Sequence, residues 1–259
     1  MPRSKKRKKR GFMIGFSLIV VVFTIACLLV LDRYYSIFDT KGTYHPSFGI
    51  QIPNGYTVHG IDVSRHQLRI NWQKVAKMES KGKKIRFCFI KATQGNYKTD
   101  PYFERNWIRS GNAGLIRGAY HYFDPRIKGD VQAAYFLKKY QVGAGDLPPV
   151  LDVEETGNIR AEIIRREVKK WLDQVEKQTG VRPLIYTHTK FYRSILGELF
   201  DEYPFWVAHY HRGDEPRIFR DWHFWQHSES GYVNGIRGKV DFNVFFGDSL
   251  ALERFRIKN

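Results

Sequence analysis

The sequence predicts an α/β fold, a reduced (β/α)8 TIM-like barrel with its last helices short or missing, preceded by one N-terminal transmembrane helix. Three observations carry that expectation. Eight short apolar runs recur between residues 58 and 242, amphipathic helical patterns fill the gaps between the first six, and after residue 200 the gaps become too short for a full crossover helix. Alternating strands and helices imply a parallel sheet, and eight strands imply a closed barrel.

Along the chain, residues 1–10 are a basic flank containing Arg3, Lys5, Lys6, Arg7, Lys8, Lys9 and Arg10. Residues 11–31 carry no charge; as a helix rising 1.5 Å per residue, such a run spans about 30 Å, the hydrocarbon thickness of a bilayer. The basic flank belongs in the cytoplasm, which makes the chain a single-pass protein of the cell membrane with its globular part extracytoplasmic. The competing pattern is a signal peptide, with export after cleavage. Against it, the apolar run exceeds a signal core and no clear small-x-small site follows. Residues 32–56 mix Gly, Pro, Tyr and Ser without periodicity and read as a linker. One domain, 57–259, follows.

Its strands are expected at 58–64, 85–92, 115–123, 150–154, 184–187, 205–210, 223–227 and 238–242. Helices are expected at 72–80, 101–112, 129–140, 158–178 and 190–200. The fourth is the best marked, with Ile163, Ile164, Val168, Trp171, Leu172 and Val175 on one face. About 200 residues is small for a complete barrel of this kind, in keeping with lost helices at the end.

The net charge is +17, of which seven positive charges lie in the flank; from Asp32 onward 36 basic and 26 acidic residues leave +10. A basic exported domain is drawn to anionic polymers and surfaces. No zinc-finger, RNP-like or helix-turn-helix pattern accompanies the scattered cations, so nucleic acid is not an expected partner. Cys27 lies in the apolar run and Cys88 in an apolar strand, so the domain holds no internal disulfide and must rest on its core.

Reactive groups of such barrels gather at the carboxyl ends of different strands. The densest such end is Asp152-Val153-Glu154. Strand side chains alternate, so both carboxyls face one way and crowd one site, where one of them is expected to keep its proton near neutral pH. A retained proton beside a second carboxylate is the equipment of glycosidic-bond cleavage. Other strand ends contribute Asp62, Lys91, Tyr120, His121, Tyr122, Tyr186, Trp206, Tyr210, Gln226, Asp241 and Asn243. Acids on strands one, four and eight meet at one rim if the barrel closes. The aromatics suit the apolar faces of pyranose rings. Taken singly, His121 reads equally as a satisfied core histidine and Lys91 as a structural ion-pair partner.

These residues resemble glycoside hydrolase family 25, the Chalaropsis-type N-acetylmuramidases, over Gly60 to about Gly247. The likeness rests on His59-Gly60-Ile61-Asp62-Val63-Ser64-Arg65-His66-Gln67, Phe89-Ile90-Lys91-Ala92-Thr93-Gln94-Gly95, Gly118-Ala119-Tyr120-His121-Tyr122-Phe123 and Pro149-Val150-Leu151-Asp152-Val153-Glu154. It continues through Pro183-Leu184-Ile185-Tyr186-Thr187, Phe205-Trp206-Val207-Ala208, Phe224-Trp225-Gln226 and Gly235 to Asn243. The resemblance implies a lysozyme cutting the β-1,4 bond from N-acetylmuramic acid to N-acetylglucosamine in peptidoglycan, without metal or organic cofactor. It implies Glu154 as proton donor, Asp152 as its assistant, and Asp62 and Asp241 lining the subsite. Lys91, Tyr120, Tyr122, Tyr186, Trp206, Gln226 and Asn243 are the accompanying substrate-binding candidates. Two positions depart from the family pattern: Gln94 stands where a glutamate is usual, and Leu68 where a small residue or proline is usual.

Overall fold

The computed structural model describes residues 20–31, 42–210 and 212–258. They fall in two compact units, Met1–Thr40 and Lys41–Asn259. In the first unit residues 20–31 are helical, with Phe23 and Val30 exposed. No described helix is long and apolar enough to cross a membrane. At 1.5 Å per residue the described helical part covers about 18 Å, and residues 11–19 of the expected span lie outside the described residues.

In the second unit β1 (Gly42–His45) and β2 (Ile50–Pro53) pair as an antiparallel hairpin. After them come β3 (Val58–Val63), β4 (Glu79–Ser80), β5 (Lys83–Gln94), β6 (Lys98–Thr99), β7 (Ile116–Tyr122) and β8 (Val150–Asp152). The series ends with β9 (Leu184–His188), β10 (Phe205–Ala208), β11 (Phe224–Gly231) and β12 (Val240–Phe245). The two-residue β4 and β6 only pair antiparallel with the two ends of β5, and the other eight close a barrel in the order β3-β12-β11-β10-β9-β8-β7-β5, with β5 returning to β3. All eight expected strands are present.

Their directions differ from a fully parallel sheet at one place. β12 runs antiparallel to both β11 and β3. The reason is the connection: a parallel return needs a crossover of a dozen or more residues, and β11 reaches β12 through 232–239, which hold no helix. Helices Trp72–Lys77, Phe103–Asn112, Gly129–Lys139 and Ala161–Thr179 fill the first four gaps, as expected. The fifth gap was expected to hold a helix over 190–200. It holds a run of changing pitch, α over Thr189–Phe191, π over Tyr192–Leu196 and 3-10 over Gly197–Phe200, interrupted at Gly197 with φ +64.

Of the stretch expected as a linker, residues 32–41 lie outside the described residues, and 42–53 form the β1–β2 hairpin. Phe48, Ile50 and Ile52 of the hairpin are buried in the outer core, and the Phe48 ring lies 5.1 Å from that of Phe242 on β12. The hairpin thus covers an outer barrel face that the lost helices would otherwise leave bare. Inside the barrel Val58, Phe87, Phe89, Val150, Leu184, Phe224 and Phe245 pack the lower layers. Room for two of these rings comes from glycine: a Cβ on Gly60 would stand 2.4 Å from the Phe87 ring, and one on Gly118 would stand 2.7 Å from Phe89. With the interior filled from below, the inward residues at the carboxyl rim are polar, and they form the site.

Candidate active site

Asp62, next to last in β3, is the hub of the rim. It is buried, and its Oδ2 accepts from Gln226 Nε2 at 2.8 Å and Asn243 Nδ2 at 2.7 Å. The Gln226 Oε1 accepts in turn from the hydroxyls of Tyr186 at 2.8 Å and Tyr210 at 2.7 Å, and the Asn243 Oδ1 accepts from Trp206 Nε1 at 2.8 Å. Four strands therefore aim donors, directly or through an amide, at one carboxylate. Asp241 stands opposite in register. Because β12 is inverted, Asp241 lies near its start yet still reaches the carboxyl rim of the parallel strands. Burial and the neighbouring Asp62 push Asp241 up to about 9, so it is protonated at neutral pH and donates to Asp62. Burial pushes Asp62 itself to about 6, held there by the hydrogen bonds it accepts from Asn243, Gln226 and Asp241.

The expected strand over 150–154 is shorter, since β8 ends at Asp152 and Glu154 lies just past it; Leu151 and Val153 still alternate into the outer core, and Glu154 acts on Asp152 through its charge. Asp152 is buried, which pushes its carboxyl well above the ordinary range, and the charge of Glu154 pushes it further. Its Oδ1 has no hydrogen-bond partner within the protein. A buried acceptor left in that state costs about 1–3 kcal/mol. Glu154 is half-buried and pushed up to about 7, first by burial, then by Glu155 and Asp62. Lys91 works against both shifts. Burial in turn pulls the Lys91 ammonium down, against the charge of Asp152.

A β-bulge places Lys91. On β5 the register with β7 slips between Lys91 and Thr93, leaving Ala92 as the extra residue. In a regular strand residues three apart face opposite ways; the bulge brings Lys91 and Gln94 to the same face. Lys91 Nζ then donates to Gln94 Oε1 at 3.1 Å and lies 4.3 Å from the centre of the Tyr122 ring. Tyr122 bonds to Glu155, a neighbour of the acids that the sequence did not single out.

The remaining candidates divide by depth. Lys91 and Tyr122 are half-buried and open on the rim, whereas Tyr120 and Tyr186 form its buried floor. Trp206, Gln226 and Asn243 lie deeper than sugar-facing groups would. The Trp206 ring packs at 4.3 Å on Phe89 and at 4.4 Å on Tyr186, and the two amides are spent on Asp62. Their position is beneath the acids, as supports. His121 is a core histidine, bonded to Thr93 at 2.7 Å and Gln132 at 3.1 Å and stacked on Trp171. Cys88 is buried, with its thiol pushed up to about 12, so it is no nucleophile. Among the described residues no group of histidine, cysteine and acid side chains is arranged to hold a metal.

A closed α/β barrel with four crowded carboxyls at its carboxyl rim and aromatic residues around them has the equipment of a glycosidase. Comparison with known proteins agrees. Residues 61–236 match glycosyl hydrolases family 25. The uncharacterized protein YegX of Escherichia coli K12 is 52% identical over 214 residues, covering 82% of this chain and 79% of that protein. Lysozyme M1 of Streptomyces globisporus is 35% identical over 210 residues, covering 75% and 70%. The crystal structure of a bacterial lysozyme from Streptomyces coelicolor superposes with a TM-score of 0.70 at 32% identity, over 78% of this chain and 98% of that one. The chain belongs to glycosyl hydrolases family 25 and is a glycosidase.

Proposed function

We propose that this glycosidase is a peptidoglycan muramidase that hydrolyses the β-1,4 bond between N-acetylmuramic acid and N-acetylglucosamine, with Glu154 as general acid and Asp152 assisting. The observation that carries the proposal is the Asp152–Glu154 pair: one carboxyl half-buried and pushed to about 7, the other buried with an acceptor atom left over. A general acid must hold a proton at working pH and release it in the transition state, and a value near 7 suits both. The spare Asp152 Oδ1 suits the N–H of a 2-acetamido group, which every sugar of peptidoglycan's backbone carries. Asp62 and Asp241, sharing a proton, supply a wall with a single negative charge to the same subsite. Lysozyme M1, at 35% identity, supports the choice of polymer. Mass spectrometry of the fragments released from purified peptidoglycan tests the bond: reduced muramic acid at every new end is expected, and reduced glucosamine there would refute it.

The uncharged run behind seven basic residues supports a single-pass anchor in the cell membrane with the catalytic domain outside. On that proposal the full chain should sediment with membranes and resist high-salt extraction. Recovery of a mature protein beginning after residue 31 would show cleavage instead.

A further inference from the structure

The acids stand on β3, β12 and at the end of β8; between β3 and β8, over the ends of β3, β5 and β7, lies a cleft of opposite charge. It measures about 190 Å³ and is bordered by Arg65, Lys91, Gln94, Lys98, Asp100 and Tyr122. Resting on the muramidase reading above, we propose that this cleft binds the carboxylates of the acidic peptide stem that peptidoglycan carries beside the bond to be cut.

The charge balance of the cleft leads there. Its single acid is already spent, since Asp100 is buried with Oδ2 accepting from the Arg65 backbone N–H at 2.7 Å and Oδ1 from the Tyr102 N–H at 2.9 Å. It holds the loop and makes no ion pair with the cations, although its charge acts on Lys91 from a distance. Among the described residues, Arg65, Lys91 and Lys98 make no ion pair. Lys91 is the telling member, because it is half-buried and its only hydrogen bond goes to a neutral amide, Gln94, at 3.1 Å. Removing a cation from water without a directly bonded anion is costly, and Asp152, Asp100 and Glu154 act on Lys91 through their charge alone, without a bond, whereas an exposed basic rim would cost nothing and need no partner. Gln94 thus orients Lys91 without neutralising it. A glutamate in its place would close the pair internally and leave the cleft with one cation fewer.

Size and position select the ligand. The cleft is small, enough for a carboxylate on a short aliphatic arm. The stem hangs from the muramic acid ring, one sugar of the scissile bond, so a glycan seated over Asp152 and Glu154 brings its stem to this side of the rim or the opposite one. This side offers a carboxylate three cations that make no ion pair, gathered in one cleft. Lys91 also links the cleft to the acids, for its charge acts on both Asp152 and Glu154. A carboxylate docked against Lys91 offsets that charge and favours the protonated form of Glu154, so stem binding and acid catalysis reinforce each other.

The test compares kcat/KM of the full chain on glycan strands bearing their stems and on the same strands stripped of peptide by an amidase. Preference for the stem-bearing strands by about five- to tenfold is expected, the yield of two partly exposed ion pairs. In Arg65→Gln/Lys98→Gln that ratio should fall towards one, and in Arg65→Lys/Lys98→Arg it should persist, which separates charge from shape. Equal efficiency of the unaltered enzyme on both substrates overturns the assignment of the cleft, as does a preference that survives in the glutamine pair. If neither substrate yields muramic acid ends, the muramidase reading falls and takes the cleft's assignment with it.

Discussion

Replacing Glu154 with glutamine should lower turnover on peptidoglycan at least about a hundredfold, roughly 2.7 kcal/mol of transition-state stabilisation, while binding of the polymer survives. The side chains match in shape, but the amide has no proton to give a departing sugar oxygen. The pH dependence checks the assignment independently. With Glu154 pushed to about 7, kcat/KM of the unaltered enzyme should decline above neutrality as the acid loses its proton, and the residual activity of Glu154→Gln should lack that decline. Stability should move the other way. A carboxyl raised in the folded state contributes stability below its unfolded value of 4.5 and loses it as pH rises through about 7. Glu154→Gln removes that loss, so the variant should melt no earlier than the unaltered protein at pH 8 and about equally at pH 4. An inactive variant that is as stable as the parent marks a chemical role; an active variant would assign the proton to another group.

What the sequence disclosed tracks the range of the interaction concerned. Leu151 and Val153 enter the outer core because of local alternation alone, and the helix carrying Ile164, Val168, Trp171 and Leu172 follows from spacing within one segment. The direction of β12 was not legible, because a missing helix and an inverted strand leave the same short gap in the chain. The hairpin at 42–53 was hidden for a related reason: two four-residue strands among glycines and prolines show no period, and only burial of Phe48, Ile50 and Ile52 against the barrel reveals them. At the site, polar residues at strand ends were visible but their depth was not. Trp206, Gln226 and Asn243 have the composition of a sugar cleft, yet filling of the lower barrel by Phe89 and Phe224 sets them beneath Asp62 instead. Gln94 appeared as a departure from a family pattern. That it holds Lys91 depends on a bulge at Ala92, a non-local slip against β7 that no count along β5 can detect.

Asp152 should prove nearly as sensitive as Glu154, and its variant separates two mechanisms. Both members of the pair are raised by burial, so at neutral pH they retain at least one proton between them. Two influences settle where it sits once substrate arrives. Lys91 favours the anion on Asp152, and an acetamido N–H donating to the vacant Oδ1 favours it further, leaving the proton on Glu154. An anionic Asp152 beside that amide steadies the positive charge that develops as the acetamido oxygen attacks the anomeric carbon and the leaving oxygen takes the Glu154 proton. Asp152→Asn keeps a hydrogen-bonding group but removes the balancing charge, so a loss of about a hundred- to a thousandfold in kcat is expected, the scale of losing one preorganised electrostatic group. A thiazoline analogue of the cyclised intermediate should inhibit the unaltered enzyme and bind more weakly to the variant. The first product seen by proton NMR decides the matter. Retention of the β-anomer accords with attack by the substrate's own acetamido group. An initial α-anomer would mean direct displacement by water, which needs a carboxylate base about 6.5–9.5 Å from the acid and would transfer the second role from Asp152 to the proton-sharing pair of Asp62 and Asp241.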